Sequence, residues 1–422
     1  MIKRIVLYSL LFTSLLSVSA YAGTDDETAY ALNTLLFLVS GFLVMLMAAG
    51  FCMLESGMVT SKSVSTIAAK NIGLYSIAGL MFWVIGYNVA YGIPEGGYIG
   101  SFTPWSDASA IETGYSDGSD WWFQMVFCAT TVSIVSGTLA ERIKIWPFFL
   151  FAAILTGVIY PIEMGWQWGG GWLSAAGFSD FAGSTLVHAA GGAAALAGAI
   201  VLGPRLGRFS NGKLVPFASS SIPLATLGTF ILWFGWFGFN GGSQLALAGF
   251  ENATAVATIY INTNLAACAG VMTCAVITRL VNGKTDVIMM LNGALGGLVA
   301  ITAEPLAPTP LMAIIIGAIG GIIVILGTQA LNKLQIDDVV GAIPVHLFAG
   351  IWGTLAVPLT NSGTSFGPQL LGTASICAFV FVVSFIVWSI MKATIGIRIS
   401  EEAEKEGTDI AETGVTAYAI RD

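Results

Sequence analysis

The chain has 422 residues, 56% of them hydrophobic and only 9% charged, with 24 acids against 16 bases and a formal net charge of −8. A soluble domain carries about 25% charged residues, so this composition excludes a water-soluble globular protein. It also lacks the basic patches that would bind nucleic acid. What remains is a polytopic, all-α membrane protein.

Residues Met1 to Ala22 have a basic start at Lys3 and Arg4, an apolar stretch from Ile5 to Leu16, and small residues at Ala20 and Ala22. The stretch is shorter than the ~20 residues a span needs. It reads as a cleavable signal peptide over 1–22, with the mature chain beginning near Gly23. The membrane domain is expected over 23–395 and a cytoplasmic tail over 396–422.

After the signal, apolar runs predict eleven transmembrane helices, at 30–53, 65–91, 121–139, 146–162, 182–202, 222–240, 255–280, 286–303, 311–331, 339–358 and 370–395. With the N-terminus outside, an odd number of spans puts the C-terminus inside. Every Lys and Arg after the signal then falls on the inner side: Lys62, Lys70, Arg142, Lys144, Arg205, Arg208, Lys213, Arg279, Lys284, Lys333, Lys392, Arg398, Lys405 and Arg421. A wrong span count would scatter them over both faces. The outer side carries acids alone, among them Glu95, Asp107, Glu112, Asp117, Asp120, Glu163, Asp180, Glu251 and Glu304, a distribution that attracts cations. Cys52, Cys128, Cys268, Cys274 and Cys377 lie mainly in apolar runs without CxxC spacing and read as buried packing residues. Small-residue stretches such as Gly191 to Gly198 suit close helix packing.

The two histidines, His188 and His346, share the pattern D-x6-VH-x3-G, which begins at Asp180 and Asp338. His188 falls in the fifth span and His346 in the tenth, so spans one to five and six to ten form an inverted 5+5 repeat followed by a final helix. Eight helical residues rise about 12 Å, against ~30 Å of hydrocarbon, which places both rings near the midplane. A charge there is costly, so the imidazoles are expected to be neutral at rest. Each then offers one donor and one acceptor to its neighbour or to a small polar solute. No Cys, Asp or Glu stands at ligand spacing to complete a metal site, and no cofactor is implied. There is no nucleotide-binding loop and no soluble catalytic domain, which argues against an enzyme.

The stretch W-Q-W-G-G-G-W-L from Trp166, followed by D-F-A-G-S-T-L-V-H ending at His188, resembles the fifth-helix signature of the Amt/MEP/Rh ammonium transporters. G-F-C-M-L-E-S-G from Gly50, F-Q-M-V-F-C-A-T-T from Phe123, G-T-L-A-E-R-I from Gly137 and L-W-F-G-W-F-G-F-N-G-G-S from Leu232 agree in order. The resemblance implies an outer vestibule that recruits ammonium at Trp168, Phe127 and Ser243. Below it the resemblance implies a gate of stacked rings at Phe127 and Phe239, with Trp236 nearby, and then the twin histidines, past which ammonia would travel. An aromatic face attracts a cation and a hydroxyl accepts an N–H hydrogen bond, which potassium cannot donate. Asp180 resembles the family's aspartate at the outer start of the fifth helix, and its capping chemistry favours a structural role near the vestibule.

Around the second histidine, D-D-V-V-G-A-I-P-V-H departs from the family's common form: Gly341 and Ile343 replace an acid and an aromatic, and Pro344 lies close to His346. The tail from Arg398 to Tyr418 resembles the family's regulatory tail, with Thr413 where relatives often have histidine. The resemblance implies a homotrimer in a bacterial inner membrane, a role in nitrogen metabolism, and a PII-type protein as a partner at the tail. The leading expectation is an ammonium transporter or ammonia-conducting channel. A Rh-like neutral gas channel, which would lack the pair Trp168 and Ser243, and a membrane ammonium sensor acting through its tail are the alternatives.

Overall fold

In lipid every backbone N–H and C=O must find a partner within the protein, and a helix supplies those partners within one segment. The computed structural model describes residues 25–418, so the signal-peptide segment lies outside the described residues. Among the described residues eight helices are long and apolar enough to cross a membrane: α1 (Asp26–Met58), α2 (Val64–Tyr91), α4 (Ile145–Gly165), α5 (Ser184–Leu202), α6 (Ile222–Gly242), α7 (Phe250–Asn282), α9 (Pro310–Lys333) and α11 (Phe366–Thr394). Helices α8 (Val287–Thr302) and α10 (Ile343–Leu359) are apolar but shorter. Helix α3 (Asp117–Thr138) has the needed length and carries Asp117 and Asp120 in its first turn.

Helices α1 and α7 run well beyond the predicted runs 30–53 and 255–280. Their ends are polar, and Asp25 starts α1 by accepting a hydrogen bond from Thr28 N at 2.8 Å. Of the five cysteines, Cys128 and Cys274 are buried as expected, whereas Cys268 is exposed on the outside of α7. It occupies the apolar face turned away from the core, where hydropathy alone does not separate a lipid-facing position from a packed one.

The helix ends gather into two faces of different character. At one, the loops are tied by backbone contacts such as Gly96 N to Gly170 O at 3.0 Å and Phe181 N to Ala303 O at 2.9 Å. At the other lies a buried ionic clasp. Arg142, fully buried, donates to Thr138 O at 2.7 Å, Gly203 O at 3.1 Å and Asp337 O at 2.7 Å. It thereby closes carbonyls at the ends of α3 and α5, groups a helix leaves orphaned. Arg205 donates through Nε to Asp337 at 2.8 Å and pairs with Glu141, and Arg208 approaches Asp337 at 3.2 Å.

The tail docks on this basic face. Arg398 bridges to Ile143, and Glu404 pairs with Arg398 at 2.8 Å and accepts from Leu206 N at 2.7 Å. Asp409 accepts from Val64 N at 3.1 Å and Thr66 N at 2.8 Å, at the N-terminus of α2. Glu412 does the same for Ile145 N at 2.8 Å, at the start of α4. Acids at helix N-termini satisfy both free N–H groups and the helix dipole. Thr413 Oγ1 donates to Asp409 O at 2.7 Å, so the unusual threonine still supports this turn.

Burial alone would oppose ionisation of Asp337, but the hydrogen bonds and charge of Arg205, with the charge of Arg142, hold its carboxyl below the ordinary carboxylate range. A group depressed in this way stabilises the fold above its ordinary value, and the contribution is lost as pH falls through the folded value. We therefore expect Asp337→Asn to lower stability by about 3 kcal/mol near neutral pH. The gap from the parent should hold down to about pH 4 and close below it. Thermal unfolding of both proteins in detergent across this range checks it; a gap that widens in acid contradicts the assignment.

Candidate functional site

Asp180 does not begin a helix directly. The chain from Asp180 to Gly183 is a loop, Gly183 turns it with φ +101°, and helix begins at Ser184 as a π-turn that carries His188. The reading of eight continuous helical residues above His188 is thus corrected: His188 sits about one turn into the helix. The cap itself is fuller than a single capping bond. Asp180 Oδ1 accepts from Gly183 N (3.0 Å) and Ser184 N (2.8 Å), and Oδ2 accepts from Thr185 N (2.7 Å) and Leu186 N (2.9 Å). The four N–H groups otherwise left open at the start of this buried helix are closed by one carboxylate.

The second half repeats the device. Asp338 accepts from Gly341 N (3.1 Å), Ile343 N (2.7 Å) and Thr138 Oγ1 (3.1 Å). Gly341 has φ +79°, and the π-turn Ile343–Phe348 carries His346. Gly341, a departure by resemblance, is therefore the structural counterpart of Gly183. The fuller repeat is D-x2-G-x3-VH-x3-G; its first glycine, legible in the sequence, was the missed signal. Pro344 is accommodated in the first positions of the turn, where a missing N–H costs little.

These two starts bring the imidazoles together. His188 Nδ1 and His346 Nδ1 are 3.1 Å apart, with one nitrogen donating and the other accepting. Both rings are buried, at 0% and 2% exposure. His188 stacks on Trp236 with centroids 4.8 Å apart and 17° between planes. Trp236 is itself fixed by donating from Nε1 to Thr302 Oγ1 at 2.8 Å. His188 Nε2 has no hydrogen-bond partner among the described residues.

Next to His188, at 5.2 Å, lies the ring of Phe239. Phe239 stacks on Phe127 at 3.9 Å and 22°. Phe127 meets the edge of Trp168 at 5.9 Å and 79° and lines a cavity of about 340 Å³ with Trp168, Ser243 and Phe181. Trp168 is held by donating from Nε1 to Asp180 O at 2.9 Å, so one residue serves both the cavity wall and the histidine helix. Ser243 Oγ donates to Phe239 O at 2.9 Å, which leaves its lone pairs available to a donor. Six of the eight residues singled out in the sequence, Trp168, Ser243, Phe127, Phe239, His188 and His346, thus follow one another from cavity to stacked phenylalanines to paired histidines, with Trp236 beside His188 and Asp180 capping its helix.

The cavity also contains groups the sequence reading passed over. Asp120 accepts from Tyr87 Oη at 2.6 Å and from Gln124 Nε2 at 3.3 Å, and all three line the cavity with Tyr91 and Tyr115. Asp120, Phe123, Gln124 and Phe127 follow helical spacing on one face of α3, which is the signal that could have found them. Glu163 is fully buried, and neither of its carboxyl oxygens has a hydrogen-bond partner among the described residues.

A sequence model of the Ammonium Transporter Family matches residues 35–418. The chain is 42% identical to the ammonium transporter Amt2 of Archaeoglobus fulgidus, covering 90% of this chain and 87% of that protein. It is 33% identical to the ammonium transporter of Bacillus subtilis, over 92% and 98%. Among solved structures it is similar to a Sensor Amt Protein, with a TM-score of 0.87, 34% identity and coverage of 92% of this chain and all of that one. It is also similar to Mep2 of Candida albicans, with a TM-score of 0.82, 26% identity and coverage of 94% and 95%.

The Asp180 cap makes a direct prediction. Asp180→Asn replaces one acceptor oxygen by a donor facing backbone N–H groups, and the buried donors it strands should cost about 3 kcal/mol. Gly183→Ala should also destabilise, because its φ suits glycine and a Cβ there would meet Val187 Cγ2 at 2.6 Å. Thermal unfolding in detergent measures both, and transitions unchanged from the parent would show that the cap is not what holds this helix start.

Proposed function

The chain belongs to the ammonium transporter family, and from that premise we propose that it draws ammonium into the Trp168–Phe127–Ser243 cavity, strips its proton near the phenylalanines, and conducts ammonia past His188 and His346. One observation carries the reading: the unbroken file of cavity, stacked Phe127 and Phe239, and linked imidazoles. Aromatic faces and the Ser243 hydroxyl suit a cation that donates hydrogen bonds. Asp120 adds carboxyl oxygens to the cavity wall as hydrogen-bond acceptors. Two rings at stacking distance exclude a hydrated ion, and their fluctuation admits a molecule the size of ammonia. Beyond them an apolar passage favours the neutral amine over its cation, and the imidazole nitrogens replace some of the hydrogen bonds ammonia gives up on leaving water.

The proposal includes eleven crossings arranged as an inverted repeat with a final helix, the acidic face outside and the basic face in the cytoplasm. The gathering of basic residues at one face supports this orientation. It further includes a homotrimer in a bacterial inner membrane and a docked tail that a PII-type protein engages. The chain acts as a transporter or channel, driven by concentration and membrane potential.

Purified protein in liposomes tests the reading through ammonium-driven current and ammonia flux, with potassium as control. Flux without current favours pure ammonia conduction; neither current nor flux overturns transport and favours a sensor. His188→Ala and His346→Ala are expected to cut ammonium transport or its selectivity over potassium by about tenfold while assembly is retained, a loss on the scale of removing one buried hydrogen-bonding group. Unaltered flux and selectivity in both would remove the histidines from the mechanism. Trp168→Leu should raise the concentration needed for half-maximal transport by about three- to tenfold, the worth of a cation–π contact. A superimposable concentration curve would count against the vestibule.

A further inference from the structure

We propose that Asp120, Tyr87 and Gln124 form a second cation subsite in the cavity, near the start of α3, which holds an ammonium ion while another occupies the station at Trp168, Phe127 and Ser243. This rests on the reading of the cavity as the entrance for ammonium and divides that entrance into two stations. Asp120 and Phe127 are seven residues apart on one face of α3, and both line the cavity. Seven helical residues rise about 10 Å, so a cation against the ring of Phe127 is beyond hydrogen-bonding reach of Asp120. The cavity measures about 340 Å³, whereas about 15 Å³ is enough to hold one water. It has room for an ammonium-sized cation at each end with water between them.

The chemistry at the Asp120 end is a set of acceptors, and an ammonium group only donates. Asp120 Oδ2 accepts from Tyr87 Oη at 2.6 Å, and Oδ1 accepts from Gln124 Nε2 at 3.3 Å. Each carboxyl oxygen keeps a further lone pair, and each donation leaves its donor residue an oxygen that can accept, Tyr87 Oη and Gln124 Oε1. Tyr91 adds an aromatic face, since its ring lies 4.9 Å from that of Tyr87 at 35° and lines the same cavity. Such a face attracts a cation. A purely structural tie between the end of α2 and the start of α3 would need the Tyr87–Asp120 bond alone. It would need neither Gln124 nor a cavity beside the carboxyl.

Two stations at this spacing act on each other. Like charges about 10 Å apart repel, so a cation that arrives at Asp120 loosens the one held at Phe127.

Equilibrium binding of radiolabelled methylammonium to the purified full-length protein in detergent, counted as cations per chain, tests the proposal. The parent should bind two, the second more weakly than the first. Asp120→Asn turns amide N–H groups toward a ligand that only donates, and should weaken one of the two steps at least fivefold, the worth of one hydrogen bond, while the other step stays at its parental value. Tyr87→Phe keeps the ring against Tyr91, removes one acceptor, and should weaken the same step about threefold; it also serves if Asp120→Asn does not assemble. Trp168→Leu should weaken the other step. One cation per chain in the parent overturns the subsite, as do parental binding in Asp120→Asn or Tyr87→Phe and an equal loss of both steps in either. If Asp120→Asn removes one of two steps while Trp168→Leu changes neither, the subsite stands and the station at Trp168 falls. A parent that binds none removes the ammonium entrance, and the subsite with it.

Discussion

One carboxylate in a water-free interior governs how the centre of this protein is built. Asp180 accepts four backbone N–H groups at the start of a buried helix, where no solvent could satisfy them. The geometry it demands, a loop turned by Gly183 and then a π-turn, decides the direction in which His188 points. The same residue's carbonyl anchors Trp168. Without this cap the cavity wall and the imidazole would have no common reference.

Asp338 makes the corresponding start from the opposite face, and the meeting of the two starts leaves imidazole nitrogens 3.1 Å apart. Each histidine alone would be a polar group stranded among apolar helices, and each is the other's partner. The rings of Phe127, Phe239 and Trp236 pack in a stacked series beside them. At the basic face, Arg142 and Arg205 tie helix ends to Asp337, and Glu404, Asp409 and Glu412 lay the tail across the starts of α2 and α4. The tail is thereby tied to the starts of α2 and α4, so displacing it would uncap both.

Much of this was legible in the chain because a bilayer imposes simple rules on composition. Apolar runs located the helices, with errors at the ends where polar residues such as Asp26 and Asn282 continue the helix past the hydrocarbon. The histidine repeat was visible as spacing, since each ring must be paired and a gene-sized pattern repeats the means of pairing it. Asp120 was not legible as a cavity residue, because it looks the same as a solvated outer acid until α3 is rotated against Tyr87. Gly341 read as a departure from the family, for its meaning depends on a backbone angle that spacing does not express. Cys268 read as buried, for the same hydropathy serves a packed and a lipid-facing position.

By itself, then, the sequence determined a helical membrane protein with basic residues grouped by side, two matched histidine segments, and a resemblance that pointed to ammonium. Only the tertiary structure decided that Phe127 and Phe239 stack, that Trp236 backs His188, that Asp120 shares a cavity with Trp168, and that the tail's acids cap two helices. The physical reason is one of range. Hydropathy and capping act over a few residues and leave their marks in local order, whereas these contacts join residues 48 to 345 positions apart and exist only once helices have chosen their faces and their rotations.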